Sequence, residues 1–214
     1  MNRFIKPAVI VTLLLTAGCT QGSAAGQSSG TRAAGPPAAD HAVAIFAGGC
    51  FWCMERPFED LDGVYSVLSG YTGGHVDHVT YDQIGTSTTG HVEAVRVEYD
   101  PRQIAYERLL DVFFRNIDPS QNDGQFCDRG SQYRSAIFVK NRTERTLAER
   151  AKRRVRAALQ VPIATEVRDA ATFWIAEGYH QDFYKTHPVH YARYRAGCGR
   201  DQRLQAIWGR HVEH

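Results

Sequence analysis

Segments with strand-like and helix-like patterns alternate along the middle of this chain, and their order limits the folds that the chain can adopt. Between residues 42 and 167 the patterns begin as β-α-β-β-α-β. Two predicted strands follow each other without a helix between them, which favours an α/β (α+β) fold over an all-parallel doubly wound sheet. We therefore expect a two-layer ferredoxin-like plait with a mixed sheet, followed by a loop-rich C-terminal extension over residues 175–214. The predicted strands are residues 42–46, 63–70, 92–99, 135–139 and 164–167, and the predicted helices begin near residues 50, 100 and 143.

One strand and the helix that follows it have clear patterns. Alternation along residues 92–99 places one carboxyl group and three apolar side chains on the same face: Glu93, Val95, Val97 and Tyr99. Asp100-Pro101 then resembles a helix start, with an aspartate cap and a proline at the first helical position. This helix carries an apolar stripe made by Tyr106, Leu109, Leu110, Phe113 and Ile117. Glycine and threonine dominate residues 71–90, which we expect to form a long functional loop.

The composition is that of an ordinary globular protein. The chain has 214 residues, of which 43% are hydrophobic and 22% are charged, and this length fits one domain with an appendage. Its 25 Lys and Arg side chains nearly balance 23 Asp and Glu side chains. The charge therefore gives no reason to expect nucleic acid as a partner.

The first residues resemble an export signal. Arg3 and Lys6 precede an apolar run at residues 7–17, about half of the roughly 20 residues that a membrane-spanning helix needs. Small residues then lead into Cys19, which is typical of a lipoprotein signal whose cysteine becomes the lipidated first residue; a plain secretory signal is the alternative. We predict a lipoprotein-type signal peptide over residues 1–18, a flexible tether over 19–41 and a folded domain over 42–214. The protein is then expected at the periplasmic side or the cell surface, anchored through Cys19, where disulfides persist.

The sequence Gly48-Gly49-Cys50-Phe51-Trp52-Cys53 carries the strongest chemical signal. A cysteine just after a strand and a Gly-Gly turn, near a helix start, faces unpaired backbone N–H groups that favour the thiolate, which is the nucleophilic form. The alternative is a buried structural cysteine. Because Pro57 suits only the first turn of a helix, we expect the regular helix to begin at about Met54 rather than at Cys50.

Four separated motifs resemble those of the A-type peptide methionine sulfoxide reductases. They are GGCFWC (48–53), GYTGG (70–74), TGHVEAV (89–95) and GSQYRSAIF (130–138). The resemblance implies an α/β plait and an oxidoreductase that reduces methionine-(S)-sulfoxide, free or in proteins, and so repairs proteins after oxidative damage. Residues 42–214 would then be its catalytic domain.

The resemblance also implies roles for single residues. Cys50 matches the nucleophile, which attacks the sulfoxide sulfur and passes through a sulfenic acid. Glu93 matches the acid, and Tyr81 and Tyr133 match the tyrosines that hold the sulfoxide oxygen. Four further positions match residues at or near the substrate pocket: Phe51, Trp52, Asp128 and His180.

The strand pattern supplies a physical reason for the role of Glu93. A carboxyl group among apolar neighbours has a raised pKa because burial disfavours its anion. It then keeps a proton that it can donate to the sulfoxide oxygen. The alternative is a glutamate at a strand edge that points to solvent.

A second thiol is needed to reduce the sulfenic acid. The resemblance assigns this resolving role to Cys198, in the glycine-flanked segment YRAGCGR; a disulfide with Cys50 would form and a dithiol would reopen it. Cys53 is the alternative resolving or relay cysteine, since it lies three residues from Cys50. Cys127 stands where the better-known pattern has an asparagine, and it is either a small buried side chain or a further oxidisable thiol.

Two other functions fit parts of the sequence. A general thiol-disulfide oxidoreductase would pair Cys50 with Cys53, but thioredoxin-like motifs place their tryptophan before the first cysteine. A metal-binding lipoprotein would need paired cysteine spacings that Cys127 and Cys198 lack, so we expect no metal site. Since no phosphate loop or dinucleotide fingerprint is present, we expect no bound cofactor and an external thioredoxin-like dithiol as the electron source. The expected partners are oxidised proteins or free methionine sulfoxide and that reductant, and we expect a monomer.

Overall fold

A computed structural model describes Met1 and residues 30–209 of the chain. The predicted signal peptide after Met1, the lipidation site Cys19 and the first part of the tether lie outside the described residues. Among the helices of residues 30–209, none is both long enough and apolar enough to cross a membrane.

A six-stranded mixed sheet forms the centre of the described part of the chain. The strands in chain order are β1 (Ala42–Ala47), β2 (Val64–Thr72), β3 (Val92–Tyr99), β4 (Gly124–Gln125), β5 (Asp128–Arg129), β6 (Ala136–Val139), β7 (Glu166–Asp169) and β8 (Phe173–Ile175). Strands β4 and β5 form a separate two-stranded hairpin. In the six-stranded sheet the strands lie in the order β7-β6-β1-β3-β2-β8. Only β6 and β7 run parallel, and the other neighbours are antiparallel. The predicted mixed α/β class is therefore confirmed, whereas the ferredoxin-like plait stays a prediction.

Seven α-helices occur in the described part of the chain, and α4 is the longest of them with 18 residues. In chain order they are α1 (Arg56–Glu59), α2 (Tyr81–Gly85), α3 (Tyr106–Arg115), α4 (Arg142–Leu159), α5 (Phe183–Thr186), α6 (Pro188–Gly197) and α7 (Arg200–Trp208). Single turns of 3-10 helix occur at Phe51–Cys53, Ser131–Tyr133 and Gly178–His180.

The main core lies between the sheet and helices α1, α3 and α4. Phe46 of β1 stacks on Phe58 of α1 and Phe113 of α3, with ring centroids 5.2 and 5.1 Å apart. The predicted apolar stripe is buried along its whole length: Tyr106, Leu109, Leu110, Phe113 and Ile117. A smaller cluster lies on the other face of the sheet, where β1 contributes Val43 and Ile45. The alternation of β1 thus supplies apolar side chains to both layers.

Two predicted helix starts are wrong, each for a local reason. The helix expected from Asp100 begins at Tyr106 instead, because the Asp100 carboxylate accepts hydrogen bonds from Arg102 and Gln103 and closes a separate turn. The helix expected between residues 50 and 61 is split into the Phe51–Cys53 turn and α1, which begins at Arg56 rather than at Met54.

The predicted loop-rich C-terminal extension is also wrong. Helices α6 and α7 occupy most of residues 188–208, yet α6 buries only Tyr191, and α7 buries only Arg200 and Leu204. With so few buried positions, neither helix has an apolar stripe that the sequence could reveal. Strand β8 was not predicted, and β7 begins two residues later than predicted. The predicted loop at residues 71–90 contains α2, where the Gln83 side chain accepts a hydrogen bond from the Thr80 amide.

The last residues of the predicted tether are in contact with the folded domain. Residues near its end pair with β8: the Ala34 amide donates to the Phe173 carbonyl, and the Ile175 amide donates to the Arg32 carbonyl. The Thr31 hydroxyl, which is buried, donates to the Val79 carbonyl. The last part of the predicted tether is therefore packed against the folded domain.

The Phe46 ring should contribute strongly to stability because it joins β1 to two helices. We expect Phe46→Ala to lower the free energy of unfolding by roughly 3–5 kcal/mol, the usual effect of truncating a buried aromatic side chain. Urea unfolding would measure it, with Val189→Ala as the control, since Val189 is 64% exposed and should change stability by less than about 0.5 kcal/mol. A similar, small effect for both variants would contradict this description of the core.

Candidate active site

Cys50 lies in a tight turn that connects β1 to the Phe51–Cys53 turn of 3-10 helix. The main chain at Gly49 has φ +84°, and a Cβ atom there would lie 2.5 Å from Cβ of Gln125. Only glycine fits both the conformation and the space. The Gly48-Gly49 pair therefore lets the chain fold closely over the β4–β5 hairpin and fixes the position of Cys50.

Glu93 projects from β3 toward this turn. Its Oε2 atom accepts a hydrogen bond of 3.1 Å from the Phe51 amide, and the side chain is 1% exposed. Burial raises the pKa of Glu93 to about 8, although the Phe51 hydrogen bond partly opposes this. The carboxyl group consequently holds a proton at neutral pH, and the alternative of a solvent-facing glutamate is excluded.

The expected Cys50 thiolate is not what the structure favours. Burial raises the pKa of Cys50 well above its usual value, and Glu93 and Cys53 raise it further. The Phe51 amide, which could have stabilised a thiolate, donates to Glu93 instead. The neighbouring Tyr194 hydroxyl acts in the opposite direction. The resting site therefore holds a thiol, and thiolate formation has to be coupled to a proton transfer.

The two predicted tyrosines lie beside Glu93 and Cys50. The hydroxyl groups of Tyr81 and Tyr133 interact with each other. Burial, Glu93 and Cys50 raise the pKa of Tyr81 to about 12, and burial and Glu93 raise the pKa of Tyr133 as well. Both hydroxyls stay protonated and can donate hydrogen bonds near the thiol.

Aromatic side chains surround the site. The ring of Phe51, which is buried, lies 5.0 Å from that of His180, and the partly buried Trp52 stacks on Phe183 at 3.7 Å. Trp52 Nε1 donates to His180 Nδ1 over 3.2 Å. Burial lowers the pKa of His180 to about 4, so the ring is neutral and its proton lies on Nε2. Within residues 30–209 this buried Nε2 atom has no hydrogen-bond partner.

Asp128 is connected to the site by Tyr194. Tyr194 was not among the residues predicted from the sequence. The Tyr194 hydroxyl donates to Asp128 Oδ2 over 2.5 Å and lies beside Cys50. Burial raises the pKa of Asp128. Tyr194 was missed because α6 carries no apolar stripe, and its spacing from Cys198 was the one available signal.

Glu55 is a second residue that the sequence analysis missed. It is 0% exposed, and its Oε1 accepts hydrogen bonds from the Ser69 hydroxyl (2.9 Å) and the Asp182 amide (3.2 Å). Burial raises its pKa to about 7. Glu55 links the turn after Cys50 to β2 and to the segment before α5. Its position two residues after the GGCFWC motif was the signal in the sequence that could have indicated a structural role.

The cysteines are paired differently from the expected resolving disulfide. Cys127 and Cys198 form a disulfide with their Cα atoms 5.0 Å apart. Cys50 and Cys53 are free and buried. Cys53 packs against Phe183 and Tyr191. The structure therefore brings Cys198 to Cys127, and the expected bond between Cys198 and Cys50 stays a prediction.

One group of possible metal ligands occurs in the described part of the chain, made by Cys127, Asp128 and Cys198. The two sulfur atoms are bonded to each other and so are not available as thiolate ligands in this state. The arrangement around Cys50 can perform thiol chemistry on a neutral substrate. Glu93 would donate a proton, and the hydroxyls of Tyr81 and Tyr133 would donate hydrogen bonds.

Known proteins resemble this chain over most of its length. A profile of the family described as "Peptide methionine sulfoxide reductase" matches residues 42–212. The peptide methionine sulfoxide reductase MsrA of Bacillus licheniformis is 48% identical over 170 residues, which cover 78% of this chain and 94% of that protein.

Two solved structures have similar folds. Mxr1 from Saccharomyces cerevisiae in reduced form aligns with a TM-score of 0.68 at 29% identity, over 73% of this chain and 90% of that one. Methionine sulfoxide reductase A of Corynebacterium diphtheriae aligns with a TM-score of 0.63 at 30% identity, over 70% of this chain and 76% of that one.

The coupling between Glu93 and Cys50 can be measured directly. We expect Glu93→Gln to shift the alkylation of Cys50 by iodoacetamide to lower pH, because a neutral amide removes the negative charge that raises the pKa of Cys50. The control is Glu98→Gln, which changes a carboxylate on the same strand that pairs with Arg96 and His41. An unchanged alkylation profile in Glu93→Gln would contradict the coupling.

Proposed function

This chain belongs to the peptide methionine sulfoxide reductase family, and we propose that the site around Cys50 performs the family's reaction. The protein is an oxidoreductase that reduces methionine sulfoxide to methionine. The observation that carries this assignment to the residues is the contact between the Cys50 turn and a buried Glu93 whose pKa is raised to about 8. A nucleophilic sulfur and a protonated acid then face the same substrate.

The reaction starts with attack of Cys50 Sγ on the sulfoxide sulfur. Glu93 protonates the sulfoxide oxygen as the bond between sulfur and oxygen weakens, and the Cys50 thiol proton passes to the carboxylate that Glu93 has become. The bond between Cys50 Sγ and the substrate sulfur then breaks as the oxygen passes to Cys50 Sγ, which leaves a sulfenic acid and releases methionine. The sulfoxide sulfur gains the two electrons that the cysteine sulfur loses.

Tyr81 and Tyr133 act on the oxygen before and during this step. Their protonated hydroxyls lie next to Glu93 and Cys50 and can donate hydrogen bonds to the charge that grows on the oxygen. Phe51 and Trp52 supply apolar surface for the S-methyl group. We assign the S epimer at sulfur to this pocket on the resemblance of its motifs.

An external dithiol protein completes the cycle. Yeast Mxr1 has also been solved in complex with Trx2, which supports a thioredoxin-like reductant for this chain. The enzyme itself needs no bound cofactor, because both electrons pass through cysteine sulfur. We also propose a monomer, since Cys50, Glu93, Tyr81 and Tyr133 lie together within one chain.

Two substitutions test the assignment. Cys50→Ser should abolish reduction, because a serine hydroxyl is neither ionised nor nucleophilic enough to attack the sulfoxide sulfur. Glu93→Gln should slow the reaction by roughly 10²–10⁴-fold, the usual contribution of a general acid. Single-turnover release of methionine from the S sulfoxide measures both, with the R sulfoxide as an inactive control. Methionine release by Cys50→Ser would overturn the assignment of the nucleophile.

We further propose that the protein is exported and held at the periplasmic side or the cell surface by a lipid on Cys19. The short apolar run and the small residues before Cys19 support this. Labelled palmitate should then be incorporated into the wild-type protein and into Cys53→Ser but not into Cys19→Ser. Equal labelling of both variants would contradict a lipid on Cys19.

A further inference from the structure

We propose that each catalytic cycle ends with the Cys127–Cys198 disulfide, which an external dithiol then reduces. Cys127 is thus a third redox-active cysteine, and it regenerates Cys50. This inference rests on the proposed function and adds a step to it. From the sequence alone, Cys127 is either a small buried side chain or a further oxidisable thiol. The structure places it at the surface and bonds it to the expected resolving cysteine.

Cys50 and the Cys127–Cys198 disulfide differ in their access to solvent. Cys50 is 6% exposed and lies under aromatic side chains, whereas Cys127 is exposed at the tip of the β4–β5 hairpin. A dithiol protein has to bring its own sulfur into line with a disulfide sulfur. Such a reductant can approach Cys127 without entering the substrate pocket.

Two side chains lie between Cys50 and the Cys127–Cys198 disulfide. The Tyr194 hydroxyl lies beside Cys50 and donates a hydrogen bond to Asp128 Oδ2, and Cys198 Sγ lies 4.0 Å from the same Asp128 oxygen. Cys127 Sγ lies 3.7 Å from the other Asp128 oxygen. Asp128 and Tyr194 thus lie between the free thiol and the disulfide.

The main chain around Cys198 has open space beside it. Cys198 lies in the junction between α6 and α7, and glycines lie on both sides of it. Neither Gly197 nor Gly199 is closely packed, and Gly199 has φ +66°. A flexible junction of this kind lets Cys198 face Cys50 in one state and Cys127 in another.

The steps balance as thiol-disulfide exchange. Cys198 thiol attacks the Cys50 sulfenic acid, forms the Cys50–Cys198 disulfide and releases water. The Cys127 thiolate then attacks Cys198 Sγ and displaces the Cys50 thiolate, which leaves the Cys127–Cys198 disulfide seen in the structure. An external dithiol reduces that disulfide to two thiols and becomes a disulfide itself.

The number of methionine molecules released without reductant separates this relay from a simple resolving disulfide. If Cys127 regenerates Cys50, fully reduced full-length enzyme freed of reductant should convert two equivalents of methionine sulfoxide, because Cys50 becomes free for a second attack. Cys127→Ser should convert one equivalent and stop with Cys50 bonded to Cys198. After one equivalent of substrate, peptide mapping of the wild-type enzyme should find Cys127 bonded to Cys198 and Cys50 free.

Several results would overturn the relay. One equivalent from the wild-type enzyme would do so without any variant, and so would two equivalents from Cys127→Ser or Cys127→Ala. Arg129→Ala is the matched control on the same hairpin, where Arg129 is exposed and pairs with Asp123; it should keep two equivalents. No methionine at all from the wild-type enzyme would count against the proposed function instead.

Discussion

The hydrogen bond from the Phe51 amide to the buried Glu93 carboxyl is the interaction on which the site depends. Glu93 stands on β3, which is paired with β1 on one side and β2 on the other, so its position is fixed by the sheet. Phe51 follows Cys50 directly, and the bond therefore fixes the cysteine turn relative to β3. The same bond uses the amide that could have stabilised a Cys50 thiolate. This contact thus sets the geometry of the site, whereas burial sets its protonation.

Burial has opposite effects on an acid and on a nucleophile. It helps Glu93, whose raised pKa leaves a proton to donate, and it hinders Cys50, whose raised pKa leaves a weakly nucleophilic thiol. A sulfoxide resolves this conflict because its oxygen takes up the Glu93 proton. The resulting carboxylate can accept the proton of Cys50, so that acid and nucleophile become active in the same step. The charge of the site stays neutral throughout, as a desolvated pocket requires.

The sequence predicted those strands and helices whose periodic pattern of apolar residues shows which face is buried. Alternation along β3 predicted a buried Glu93, and period 3.6 predicted the stripe of α3, because each strand or helix buries one continuous face. The periodicity did not predict α6 and α7, because these helices bury only one or two side chains each and so carry no apolar stripe. The role of Tyr194 and the pairing of Cys127 with Cys198 depend on contacts between distant segments, and no local pattern reports such contacts. The Cys50 thiolate was mispredicted for the same reason, since the competing acceptor Glu93 lies 42 residues from Phe51.

Arg200 limits how much of the chain can move when Cys198 changes partner. It is 1% exposed, and its Nη2 atom donates to the Gly48 carbonyl over 3.2 Å and to the Asn116 carbonyl over 2.7 Å. Moving a buried guanidinium away from these acceptors would leave its charge without hydrogen bonds and carries a large free-energy penalty. Since Gly48 precedes the Cys50 turn, the same side chain holds that turn and the start of α7 together. Exchange between the two disulfides is therefore confined to the glycine-flanked junction at Cys198, while the substrate pocket keeps its shape.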